Sequence, residues 1–571
     1  MIFFNYKNRI ATFTLFMLLG TTLFHTTQTN AFSSDEAITR DIQAKSDDML
    51  DDDLDALLDS ITPEDLIKLR SCEPLEAKAW LDILTQVVNL PVVFDQDFYK
   101  KTSIPIARNL INYPDFLLCS YQKPSSNNQL TTHVFYNITP LKAFTQDPVN
   151  SPYKEVGTRI GSYLNIENGA LIDLIDQAFN SGLVPPALAP LRGVNFPNLL
   201  RTIGNARLEE RRMGLFFHYY QQVHPRTFLE IKLPFLWMIR NLNFTPAEKQ
   251  VIADELSFFT GNSCVDELTF AKQHIIMDAL GTGTLELSLC TRIYEQGTWG
   301  FDGGGCIYLP TDYHWAEGLY GTYIHPRNQN PILDLCSLVD VSTLTVNPKA
   351  KGIVGNYALA ALDHLSSALL QCPLGYYKHL GAGLKLNPYW QIREDLEYKG
   401  QYILEFFLAQ NEKRFFIDKP STVTFSESFK KILADSSISD NDKLLILEEE
   451  LTKWLFPRVF STKVLPGIIF NSTTTLQKTY RRWDFTIGYN AWYRLEEHFV
   501  SISAPAAIVK NLDIQKSINP TAWAVKLFAK IHRDFNGPRH DVSLSLYGDA
   551  TLFNQGIGND LLFGVSFDTK F

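Results

Sequence analysis

The sequence predicts an all-β transmembrane barrel of about twelve antiparallel strands, or fourteen if two weaker segments are counted. Long outer loops carry helices, and a helical segment precedes the barrel. Three observations predict it. Apolar and polar residues alternate with strict period two in segment after segment. Short and long connections alternate along the chain, as in barrels with tight turns at one end and long loops at the other. The last eleven residues, Leu561–Phe571, form a strand whose apolar face, with Leu561, Phe563, Val565, Phe567 and Phe571, runs to the final residue.

The N-terminus reads as a removable address over residues 1–31. Lys7 and Arg9 precede the apolar run Ile10–Phe24, and Thr29-Asn30-Ala31 offers a small-residue cleavage site. Residues 32–112 read as a separate helical and acidic region, either a periplasmic segment or a plug within the lumen. Asp47, Asp48, Asp51, Asp52, Asp53 and Asp55 lead there into a helical pattern over Leu57–Leu69. They lack the Gly and terminal Glu of a calcium loop and read as a solvated face. Residues 113–571 make the barrel.

The clearest strands are Arg226–Trp237, Thr284–Tyr294, Ala382–Arg393, Leu396–Leu408 and Arg482–Glu496. Thr132–Thr139, Arg212–Gln222, Trp299–Leu309, Val464–Gln477, Trp523–His532, Asp541–Asp549 and the closing strand complete the dozen. Phe116–Tyr121 and Val156–Leu164 are the two weaker segments. Short turns fall at His224-Pro225, Gln296–Thr298, Glu394-Asp395, Tyr480-Arg481 and Asn536–Pro538. Helices are expected in the long connections at Asn168–Asn180, after the capping box Thr245-Pro246-Ala247-Glu248, at Tyr357–Leu370 and at Asp440–Phe456.

Parity divides each strand into two faces. Tyr219, Trp299, Trp390, Trp483, Phe567 and Phe571 share the apolar parity near the short-turn end, where an interfacial aromatic girdle belongs. The opposite parity points into the lumen and carries Glu230, Lys232, Glu286, Arg292, Asp302, Lys385, Arg393, Glu397, Lys399, Glu405, Asp484 and Arg494. The signs nearly balance, so pairing across strands is expected rather than strong ion selectivity. Trp492, Phe528 and Tyr294 belong to the same inward set, whose aromatics narrow the lumen and offer stacking surface.

Among the seven cysteines, Cys290 and Cys306 fall on adjacent strands on one face, and a three-residue turn would set them opposite each other. Cys336 and Cys372 share one long connection. Either pair could bridge in an oxidising compartment or remain buried thiols. A net charge of −10 gives no indication of nucleic acid as a partner. No Gly-x-Ser-x-Gly, His-Glu-x-x-His, phosphate loop or Cys-x-x-Cys pair appears, so no cofactor or metal is implied.

The closing strand resembles the C-terminal strand of Gram-negative outer-membrane β-barrel proteins, in which an alternating run ending in Phe is also read by the barrel-assembly machinery. The resemblance implies a bacterial outer-membrane location after export, with outer-membrane lipid and that machinery as partners. The aromatic inward set resembles, in architecture, the outer-membrane channels for long-chain fatty acids and other hydrophobic compounds. A channel for a small solute or a structural envelope barrel is therefore expected. An outer-membrane lipid hydrolase is the enzymatic alternative, with Asp363-His364-Leu365-Ser366-Ser367 as its nearest Ser/His cluster. A soluble exported β-rich binding protein is the third.

Overall fold

The computed structural model describes the strand Asn128–Ile138, two short strands at 143–147 and 151–156, and most of the chain from 207 to 570. Within that range 261–266, 327–338, 341–344, 347–349, 420–424, 537–540, 556–558 and a few single positions lie outside the described residues. So do the expected export signal, the acidic cluster, Phe116–Tyr121, residues 157–164, the expected helix Asn168–Asn180, Cys336 and Phe571.

Twelve strands close into one barrel: β1 Asn128–Ile138, β2 Arg207–His224, β3 Thr227–Asn243, β4 Leu285–Gln296, β5 Trp299–Leu309 and β6 Gly381–Arg393 in the first half. The second half is β7 Leu396–Phe407, β8 Ile469–Tyr480, β9 Trp483–Arg494, β10 Ala522–Asn536, β11 Asp541–Gln555 and β12 Leu561–Lys570. Each strand pairs antiparallel with its predecessor and successor, and β12 pairs back onto β1 over Gln129↔Lys570 to Ile138↔Leu561. All backbone ladders are therefore satisfied within the wall, which a β-structure in hydrocarbon requires.

Alternation fixes which face turns inward. On β1, Gln129, Thr131, His133, Phe135 and Asn137 are buried, whereas Val134 and Tyr136 are exposed. On β6, Gly383, Lys385, Asn387 and Tyr389 are buried between exposed Leu384, Leu386 and Trp390. The exposed set recurs around the wall as Leu289, Ile307, Phe470, Ile487, Leu527 and Leu546. An apolar belt of this extent has no stable place in water.

The short turns 225–226, 297–298, 394–395 and 481–482 lie at one end, together with the start of β1 and the end of β12. The other end carries the long connections, and their helices are locally encoded. In α1 (Pro246–Thr260), the Thr245 N–H donates to Glu248 Oε2 at 2.8 Å and the Glu248 N–H donates to Thr245 Oγ1 at 3.3 Å, a reciprocal capping box. A short α2 (Glu267–His274) follows; α3 (Ala350–Leu369) starts earlier than the expected Tyr357 and ends one residue before Leu370, and the later helix Asp440–Leu455 ends one residue before Phe456.

Two loop sheets go beyond the expected helical lobes. Ile276–Thr282 pairs with the upper part of β3, and Tyr313–Glu317 pairs with it in turn. A three-stranded sheet joins Gln410–Phe416, Arg458–Leu465 and His498–Ile502. The expected strand Val464–Gln477 is consequently two strands. Val464 belongs to this loop sheet, and the chain breaks at Pro466-Gly467-Ile468 before β8 begins.

Candidate functional site: the lumen

The barrel interior is filled by side chains in two chemically distinct zones. The first is an ion-pair cluster on β3, β4 and β6. Lys232 and Glu286 are register partners on adjacent strands, with Nζ and Oε1 3.2 Å apart. Lys385 makes a longer reach. Its neighbour on β5 is Gly304, and its Nζ crosses that strand to Glu286 on β4 and to Glu230 on β3, 3.2 Å from the latter. Ser288 Oγ lies 2.7 Å from the same ammonium. A Cβ at Gly304 would stand 2.0 Å from the Leu289 carbonyl oxygen, so the middle glycine of Gly303-Gly304-Gly305 allows the close approach of β4. All four charged groups are buried.

The second zone is apolar. Cys306, Tyr308, Ile403, Phe407, Ile469, Trp492, Ala522, Ala524 and Phe528 form one buried cluster inside the wall. Tyr376, from the connection between β5 and β6, packs on it, with ring centroids 4.5 Å from Phe407 and 5.9 Å from Tyr308. The Tyr376 hydroxyl donates to Glu405 Oε2 at 3.4 Å, and its N–H donates to Thr284 Oγ1 at 3.1 Å. A loop residue is thus seated in the barrel by its hydroxyl and by its backbone N–H.

The remaining expected lumen residues spread along the wall. Arg292 pairs with its register partner Asp302 at 3.2 Å and stacks over Phe228 and Tyr389. Lys399 Nζ lies 3.1 Å from Glu397 and 3.0 Å from Gln477 Oε1. Arg494 lies over the Trp492 ring at 5.6 Å, and Asp484 accepts from Thr479 Oγ1 at 2.7 Å near the short-turn mouth. Arg393 departs from this group. A register shift after Gln391 sets it opposite Leu396, and it is exposed beside the turn.

A second bulge, between Arg292 and Tyr294, matters more. It sets Tyr294 opposite Phe301, so Tyr294 turns to the outer wall, stacked on Phe301 and 4.7 Å from Trp299. This bulge, together with a turn of two residues rather than the expected three (Gln296 pairs with Trp299), fixes the register of the two cysteines: Cys290 faces Gly304 and Cys306 faces Ser288. They are diagonal rather than opposite, and both are free thiols. Cys372 is also free, its Sγ 3.4 Å from the Leu370 carbonyl oxygen. Of the two alternatives, bridge or buried thiol, Cys290, Cys306 and Cys372 take the second.

Trp299, Trp390, Trp483 and Phe567 lie on the exposed outer face toward the short-turn end, and Trp299 and Trp390 are direct register partners. Tyr219 lies half-buried on β2 at the same level. The Arg533 guanidinium stacks 4.8 Å from the Trp483 ring.

The Ser/His cluster on α3 does not converge. His364 Nε2 is 2.8 Å from the Pro457 carbonyl oxygen, Ser366 Oγ donates to the His274 carbonyl oxygen and Ser367 Oγ to that of His364. Each hydroxyl is committed to backbone, and Asp363 binds His274 instead, at 2.7 Å. A nucleophile needs a base within reach, and this arrangement supplies none.

A buried polar site above the barrel carries a pH dependence. His379 Nε2 lies 2.7 Å from Glu412 Oε1 and Nδ1 lies 2.7 Å from the Leu408 carbonyl oxygen, so the doubly protonated ring satisfies both acceptors. Burial opposes the charge, but the hydrogen bond to Glu412 and its negative charge outweigh that and hold His379 above its ordinary value. A raised value means the contribution to stability is complete below the unfolded value of about 6.5 and is lost as pH rises through the folded one. Hydrogen exchange at Leu408 and Lys413 should accelerate beyond the intrinsic increase as pH rises above about 6.5, and His379→Gln should remove that excess.

The closed wall, its apolar outer face and its polar, filled interior define the class: an outer-membrane-type β-barrel. Solved structures of similar architecture include an outer-membrane channel from Pseudomonas putida F1, at 8% identity and TM-score 0.35 over 80% of this chain and 98% of that one. The Pseudomonas putida toluene transporter TodX aligns at 9% identity and 0.28 over 84% and 100%. The β domain of the Bordetella autotransporter BrkA aligns at 6% and 0.29 over 78% and 100%. Similarity this low concerns architecture and says nothing of cargo. No protein-family model matches the chain, and no curated protein matches it.

Proposed function

We propose that the chain is an integral outer-membrane channel for a small apolar solute, exported through its N-terminal signal and inserted by the barrel-assembly machinery. The observation that carries this reading is the buried aromatic cluster of Tyr308, Phe407, Trp492 and Phe528 inside the wall, with loop residue Tyr376 seated on it. An interior serving only water and ions has no use for such a zone, whereas an apolar solute passing it trades water for aromatic surface. Tyr376 then acts as a stopper that the solute displaces.

The test is uptake of labelled naphthalene, with a disaccharide as polar control, by cells with and without the protein. Wild-type protein should raise naphthalene entry and leave disaccharide entry unchanged, and Tyr376→Ala should raise it further. No gain in naphthalene entry by either form overturns the channel. One feature favours a structural envelope barrel in that event, namely the Lys385 cluster that ties β3, β4 and β6 together along the inner face of the wall.

A further inference from the structure

At the short-turn mouth, three metal-ligating groups from β9 and β10 face one another. Asp484 and His532 are register partners on adjacent strands, and Asp534 follows His532 by two positions and shares its face. One ligand atom of each lies within 4.8 Å of the others. His532 Nε2 already stands 3.3 Å from Asp534 Oδ1, roughly the separation of two ligands on a tetrahedral ion with bonds of about 2.0–2.1 Å. The other ring nitrogen, Nδ1, is 2.9 Å from Ser545 Oγ and 3.8 Å from Asp568 Oδ2. Imidazole ligands are commonly oriented by such an outer contact. Thr479 Oγ1 donates to Asp484 Oδ1 and leaves Oδ2 of that carboxylate to a ligand.

A second observation marks a deficit of positive charge. Asp568 is buried, its Oδ2 accepts from Ser543 Oγ at 3.2 Å, and its Oδ1 has no hydrogen-bond partner among the described residues. Three carboxylates therefore surround one imidazole. Lys570 Nζ lies 3.3 Å from Asp534 Oδ1 and is the competing cation. Lys530 faces inward two positions before His532.

We propose that Asp484, His532 and Asp534 bind a divalent transition-metal ion of the zinc class. The imidazole nitrogen selects a borderline ion over calcium or magnesium, which prefer oxygen ligands alone. Three protein ligands leave a fourth position open, so the ion can hold water or a carboxylate at the mouth of the lumen.

The test titrates the refolded full-length barrel in detergent with Zn²⁺ by calorimetry and with Co²⁺ by visible absorption, with Ca²⁺ as a separate arm. Folding is checked by anomalous mobility on unheated gels. The expected result is one site per chain for Zn²⁺ and Co²⁺, cobalt bands of low-symmetry coordination and no heat with Ca²⁺. His532→Ala and Asp484→Asn should each weaken binding at least about tenfold. If one variant fails to fold, the other carries the comparison. Absence of a wild-type cobalt spectrum, or equal binding by a folded variant, overturns the proposal.

Discussion

Replacing Leu289 with Arg should cost ~2–4 kcal/mol of folding stability, because the residue is 53% exposed on the outer wall of β4, near mid-strand, where a charge meets hydrocarbon. Gln296 lies on the outer face of the same strand beside the turn, and Arg there should cost about 0–1 kcal/mol. Urea unfolding in lipid vesicles compares the two, and equal losses would show that the wall does not face a bilayer. Position 288 is a poor control despite facing inward. Ser288 is buried against Lys385 and Glu286, so an Arg there meets a cation and lacks space.

Removing Lys385 should be at least as damaging. Lys385→Met leaves Glu230 and Glu286 buried, with Lys232 as the remaining cation of the cluster, and breaking a buried pair from one side costs about 3–5 kcal/mol. Adding Glu286→Gln to that variant should recover part of the loss, since it removes the stranded charge. The same unfolding assay reads both. A loss below about 1 kcal/mol for the single variant would mean that water in the lumen screens these charges.

Much of this architecture was legible because period two depends only on which residues are apolar. Each of the twelve expected barrel strands has an observed counterpart, and Trp299–Leu309 coincides with its expected bounds. Departures occur where one extra residue enters a ladder. The bulge after Arg292 turned Tyr294 outward and, with the two-residue turn, displaced Cys290 from Cys306, and the shift after Gln391 set Arg393 exposed beside the turn. Strict alternation cannot reveal a bulge, since the inserted residue carries no consistent side-chain signal.

The charge cluster was half legible. Balanced signs predicted cross-strand pairs, and Lys232–Glu286 is one. Lys385 reaching over β5 required Gly304 to be read as a passage, which depends on the neighbours of three strands at once. Tyr376 gave no signal at all, because it follows a loop whose path into the interior is set by tertiary contacts with Thr284 and Glu405.

The seam between β12 and β1 sets a limit on assembly order. Asn137 donates to Asp560, and the two are 423 positions apart in sequence. Lys526, Thr551 and Asp560 bond around the same point. Closure cannot follow the order of synthesis strand by strand, because β1 waits for a partner that lies 423 positions later at Asp560. Until then β1 and whichever strand was made last are open edges, free to pair with another chain. Such long-range closure is intrinsically slow and aggregation-prone. The wall therefore closes only once the complete set of strands is present together.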